Sequence, residues 1–214
     1  MSSGKKNTSP ARTGKFGLLG TVLILVGVAV PLITYNSDRA RYIRAEKQVT
    51  ILSLALQAFH RDMGKWPTRG ARGRDGTLSI LVSGSASKRG TRIRSNGWHT
   101  DTQTEDVDFI ANHLLHNRPK GLSSYPGMGR NAWRGPYIKD APLDPWGTPY
   151  LINIGVTAHA NGGAGLVVSA GPDRVVNTPY DGSAGQEPVG DDIVTPFYVR
   201  SRQSEESLLG RSSP

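Results

Sequence analysis

His113 and His116 stand three residues apart in a stretch that reads as a short helix, a spacing that can aim two imidazoles at one metal ion. No third ligand is evident nearby, so two surface or half-buried imidazoles are expected. Asp140 and Asp144 invite paired-carboxylate chemistry, but they sit among Pro and Gly and read as turn residues. Ser169 lacks the glycine two positions earlier that a nucleophile elbow requires, and Gly162-Gly163-Ala164-Gly165 lacks the spacing of a dinucleotide fingerprint. No Walker-type loop is present. The absence of cysteine removes thiolate zinc sites, thiol nucleophiles and disulfides together. These residue types point away from catalysis, and a non-enzymatic role is expected.

Charge offers a second kind of chemistry. The formal net charge is +9, but it is concentrated in two places. Residues 1 to 15 carry Lys5, Lys6, Arg12 and Lys15 with no acid. Residues 65 to 94 carry Lys65, Arg69, Arg72, Arg74, Lys88, Arg89, Arg92 and Arg94 against Asp75 alone. The rest is slightly acidic, so the global charge is no argument for a nucleic-acid partner. The 65–94 segment by itself can attract phosphates, with Trp66 and Trp98 flanking it as stacking platforms, although a solvated loop is the plainer reading.

These groups need elements to hold them. Phe16 to Thr34 is an uncharged run of nineteen residues. As a helix it spans roughly 28 Å, about the hydrocarbon core of a bilayer, and it is expected to be a transmembrane anchor. Lys and Arg are balanced on its two flanks, so the positive-inside rule does not orient it. From Arg39 to Met63 there is neither Pro nor Gly, and Ala45, Val49, Leu52, Leu56, Phe59 and Met63 form one helical stripe. Gly64 is expected to stop this helix and Trp66-Pro67 to turn the chain. Asp144-Pro145-Trp146-Gly147 has the residue order of a type I turn. Strands are expected at Tyr150 to Ile154, Leu166 to Ser169 and Ile193 to Val199, arranged as an antiparallel meander. Helix first and strands later gives an α+β domain.

The run Gly135 to Tyr150 (GPYIKDAPLDPWGTPY), then Ser169 to Asp173 (SAGPD) and Gly190 to Ile193 (GDDI), resembles the C-terminal half of the type II secretion major pseudopilins. Ala55 to Thr68 (ALQAFHRDMGKWPT) is similar to that family's segment at the end of its long helix. The resemblance implies a pilin-like fold, in which a long N-terminal helix, partly transmembrane, packs on a small antiparallel sheet. It also implies a non-catalytic filament subunit of the bacterial inner membrane with a cytoplasmic N-terminus and a periplasmic head. Its partners would be further copies or other pseudopilins and an inner-membrane assembly platform. The resulting organisation is a basic cytoplasmic tail at 1–15, a membrane helix at 16–34, a head at 35–200 with an insertion at about 76–130, and a disordered tail at 201–214. Within the insertion, Thr104 to His116 is expected to form a short helix.

The same resemblance implies one structural Ca²⁺, held by Ser169, Asp173, Asp191 and Asp192, with Asp181 or Glu187 as substitutes. Calcium takes six to eight hard oxygens, of which these residues supply a part. The N-terminus departs from the family pattern: Gly14 is followed by Lys15 with Phe16 displaced by one, and neither Leu19 nor Gly20 offers the carboxylate expected at the fifth mature position. Processing by the prepilin peptidase is therefore not implied. The alternative role is a membrane-tethered module that captures DNA or another polyanion through residues 65–94.

Overall fold

The computed structural model describes residues 15–70, 73–84, 97–121, 124–158, 164–182 and 187–199, with the backbone alone for 15–36, 158 and 199. The chain divides into two units, Met1–Ala40 and Arg41–Pro214, and the second holds the sheet and its core. Helix α1 runs over Lys15–Met63. Among the described residues no helix is long and apolar enough to cross a membrane. The side chains of the expected anchor, Phe16 to Thr34, lie outside the described set, as do the tails at 1–14 and 201–214.

The helical stripe forms as its spacing requires. Ala45, Val49, Leu52, Leu56, Phe59 and Met63 are all buried, while Ile43, Ile51 and Leu54 on other faces of α1 are exposed. Gly64 ends the helix at φ +69°, in the left-handed region that residues with a Cβ avoid, and its N–H closes on the His60 carbonyl at 2.8 Å.

Five strands follow: β1 (Ile80–Val82), β2 (Val107–Phe109), β3 (Leu151–Ile152), β4 (Ala164–Ser169) and β5 (Ile193–Val199), ordered β2-β1-β3-β4-β5 in one sheet. The expected meander is present as β3, β4 and β5, antiparallel throughout. The sheet as a whole is mixed, however, because β1 pairs with β2 in parallel. This corrects the small, purely antiparallel sheet expected from sequence. The region read as an insertion supplies both strands of the parallel pair, and the short loop-bounded runs that form them gave no alternating pattern to find.

Two further expectations change. The strand at Tyr150 to Ile154 is only two residues long, since Ile154–Ala158 turns into a 3₁₀ helix. Thr104 to His116 is not one helix: it enters β2 and then makes a single turn, α2 (Ile110–Leu114). There Lys120 Nζ donates to the carbonyls of Thr102, Thr104 and Val107, which ties the turns before β2 to the segment after α2.

Register assigns the faces. Leu81 stands across from Ile152, and Ile152 across from Val167, and all three join Leu52, Leu56 and Phe59 of α1 in one core. Val82, Leu151 and Val168 are in register on the opposite face, where they pack with Trp98, Val107 and Val176 in a second cluster. The inner strands are thus buried on both faces, which is why they read as unbroken apolar runs.

Candidate functional site

The motifs that are scattered along the sequence meet in space. Tyr137, from the GPY run, donates its hydroxyl hydrogen to Asp62 Oδ2 of α1 at 3.1 Å and accepts from the Arg134 N–H at 2.9 Å. Its ring meets Phe59 edge-on at a centroid distance of 5.6 Å. The helix-end motif and the GPY motif are therefore one packing unit. Burial raises the Tyr137 phenol above its usual pKa, and the Asp62 carboxylate adds to this, so it stays a donor.

Asp144 begins the expected turn: the Gly147 N–H reaches the Asp144 carbonyl at 3.0 Å. The side chain does more than turn chemistry requires. Oδ1 accepts from the N–H groups of Trp146 and Thr148 at 3.0 and 2.7 Å, and Oδ2 accepts from Ser169 Oγ at 2.8 Å. Asp144 thereby joins the DPWG turn to the end of β4. Burial pushes its carboxyl above the usual range, and the hydrogen bonds from Thr148, Ser169 and Trp146 only partly offset that.

Beyond β4 lie the residues expected to hold calcium. Ser169 directs its hydroxyl at Asp144 and accepts from the Gly171 N–H at 3.4 Å. Asp173 Oδ1 accepts from Val175 N–H at 2.7 Å, and its own N–H donates to Asp191 Oδ2 at 3.1 Å, so the two acidic loops touch. Asp192 is buried; Oδ2 accepts from the N–H groups of Asn177 and Thr178 at 2.9 and 2.7 Å, while Oδ1 is buried with no hydrogen-bond partner. Burial raises the Asp192 carboxyl pKa, and the neighbouring Asp191 charge reinforces the shift. Gly171, at φ +64°, brings the loop so close to Asp191 that a Cβ there would lie 2.3 Å from the Asp191 carbonyl oxygen.

This donor set is all hard oxygen and contains one orphaned buried carboxylate oxygen, which suits a cation. Among the described residues no three His, Cys, Asp or Glu side chains gather as a metal group. A calcium shell at this place would draw most of its oxygens from backbone carbonyls and water. Glu187 is exposed and outside this contact set.

The basic segment is partly neutralised. Lys65 Nζ and Arg69 Nε both pair with Asp75, at 2.6 and 3.1 Å, and Arg69 also donates to the Ser124 carbonyl. Its guanidinium lies 4.9 Å from the Tyr125 ring centroid. Arg74 is exposed; Arg72, Lys88, Arg89, Arg92 and Arg94 lie outside the described residues. Trp98 is buried and donates to the Thr178 carbonyl at 2.8 Å, so it is not an open stacking platform.

His113 and His116 do not share a metal-facing side. His116 is exposed, whereas His113 is fully buried, with Nε2 3.0 Å from Asp108 Oδ2 and Nδ1 2.7 Å from the Tyr125 hydroxyl. Since the carboxylate only accepts, Nε2 carries the hydrogen and the phenol donates to Nδ1. Sequence reasoning missed this network. The only trace was an Asp five residues before a His in a stretch that also holds Phe109, Ile110 and Leu114.

The fold is therefore an α+β head in which one helix packs on a five-stranded sheet, with an oxygen-rich loop pair beyond β4. Residues 115–186 match the family model for type II secretion system (T2SS), protein G. The match takes in the GPY, DPWG and SAGPD motifs and supports the pseudopilin resemblance; the helix-end segment and the GDDI motif fall outside it. No curated protein and no solved structure matches the chain.

Proposed function

We propose that the chain is a non-catalytic structural subunit of a type II secretion pseudopilus or a related pilin-like filament, assisting protein export. The observation that carries this reading is the pseudopilin match over residues 115–186, the stretch in which Tyr137 and Asp144 tie the motif loops to α1 and β4. On this reading the apolar N-terminal part of α1 anchors the subunit in the bacterial inner membrane, the head is periplasmic, and further copies, other pseudopilins and an assembly platform are its partners. Deleting the chain from its source bacterium should abolish type II export into the medium, and a plasmid copy should restore it. Unchanged export, with no sheared filaments that contain the chain, would sink the proposal.

Calcium belongs to the same reading. Asp173, Asp191 and Asp192, with the Ser169 end of β4, would hold one Ca²⁺, which would neutralise the acidic loops and lock them together. A ligand at about 100 times its Kd stabilises by roughly 2.7 kcal/mol. The thermal midpoint of the full chain should therefore rise with Ca²⁺ and fall on chelation, and Asp173→Asn should blunt the difference. A midpoint indifferent to both treatments would remove calcium from the account while leaving the filament role intact.

A further inference from the structure

Between α1 and the start of β5 lies a cleft of about 220 Å³, lined by Glu46, Val49 and Thr50 on one side and by Asp192, Ile193 and Thr195 on the other. At ~30 Å³ per water it has room for roughly seven. Its described lining holds two carboxylates and no cation, and Val49 and Ile193 give it an apolar wall. Asp192 is only 4% exposed and belongs to the acidic loops assigned to Ca²⁺, whereas Glu46 is exposed. An apolar wall beside an exposed carboxylate suits a long cationic side chain, whose stem lies along the wall while its head pairs with Glu46.

A complementary feature stands elsewhere on the same head. Every residue from Pro126 to Asn131 is exposed, and Met128 is 90% exposed. A Cβ added at Gly127 or Gly129 would meet nothing within 4 Å, so this loop stands clear of the body. Its base is fixed: the Trp133 N–H donates to the Pro126 carbonyl at 2.7 Å, and the Trp133 indole donates to the His113 carbonyl at 2.9 Å. Arg130 supplies a cation beside the apolar Met128, and Met and Arg are both enriched at protein interfaces. A projection closed at its base loses little entropy on docking.

The loop cannot fill the cleft of its own chain. Asn131 packs against Gly64, just past the end of α1, with its amide nitrogen 3.2 Å from where a side chain would begin. The cleft lies at least fourteen helix residues away, roughly 20 Å at 1.5 Å per residue. We infer that loop 126–131 of one copy docks into this cleft of the next, with Met128 on its apolar wall and Arg130 on Glu46. Such a contact joins two different surfaces, so each copy keeps one of each free, and repetition gives an open filament when the rotation does not close into a ring. The inference rests on the filament reading and adds the contact that would build it.

The chain has no cysteine, so Met128→Cys and Thr50→Cys, both at exposed positions, report on this contact alone. Full-length chain carrying both should give a ladder of disulfide-linked oligomers on mild oxidation. A mixture of the two single variants should stop at dimers. Adding Glu46→Lys should reduce the ladder several-fold, and adding Arg130→Glu to that chain should restore it, a response that a metal ion in the cleft would not give. A ladder indifferent to these charge changes reflects collision and overturns the contact. Oligomers in sedimentation without a ladder overturn the contact but leave the filament reading standing, whereas a chain that sediments only as a monomer removes both.

Discussion

Replacing Asp108 by alanine is expected to lower the unfolding free energy by about 3–5 kcal/mol, the range for removing one partner of a buried charge network. Its carboxylate collects four donors: Phe109 N–H and Asn112 Nδ2 on Oδ1 at 2.8 and 2.7 Å, and Lys120 N–H and His113 Nε2 on Oδ2 at 2.6 and 3.0 Å. His113 is fully buried, so its Nε2 hydrogen would be left without water or partner. Urea denaturation of the full chain measures the loss, and a change under about 1 kcal/mol would show that the network relaxes.

The pH dependence follows from the same bonds. Burial works to raise the Asp108 carboxyl pKa, but the hydrogen bonds from His113 Nε2 and from the N–H groups of Lys120 and Phe109 outweigh it and hold the group below the usual range. A depressed acid contributes stability above its unfolded pKa of about 3.9 and loses it as pH falls through the folded value. The native chain should therefore lose stability below about pH 4 more steeply than the Asp108→Ala variant. Parallel slopes would contradict the assignment.

Phe59→Ala is expected to cost about 3–5 kcal/mol as well, by a different mechanism. Phe59 is fully buried between α1 and the sheet, and its ring meets Tyr125 and Tyr137 edge-on at centroid distances of 5.0 and 5.6 Å. Truncation loses apolar burial and both ring contacts, and it leaves a cavity because the sheet cannot follow the helix inward. Leu54→Ala, on the same helix but 59% exposed, should change stability by less than about 0.5 kcal/mol. The contrast tests the face assignment, and equal losses would refute it.

Where sequence and structure agree, a local rule was sufficient. The stripe from Ala45 to Met63 follows from helical spacing, the stop at Gly64 from its tolerance of positive φ, and the 144–147 turn from Asp, Pro and Gly in fixed order. Strand β5 was legible to its ends, Ile193 and Val199. Strands β1 and β2 were not, because each is three residues long and neither pairs with a strand adjacent in sequence other than its parallel partner. A strand that short carries too little periodicity to separate from loop.

By itself, the sequence determined a helix with one apolar face, a rigid DPWG turn, an antiparallel meander and a chain without thiol chemistry, since propensity and spacing are local properties. Tertiary structure alone decided that β1 and β2 complete a mixed sheet, that His113 is locked by Asp108 and Tyr125, and that Asp144 serves Ser169 as well as its own turn. Each of these depends on at least one partner twelve or more residues away in the chain arriving within hydrogen-bond reach. Only closure of the core sets that distance, because burial removes the water that would otherwise satisfy those groups separately.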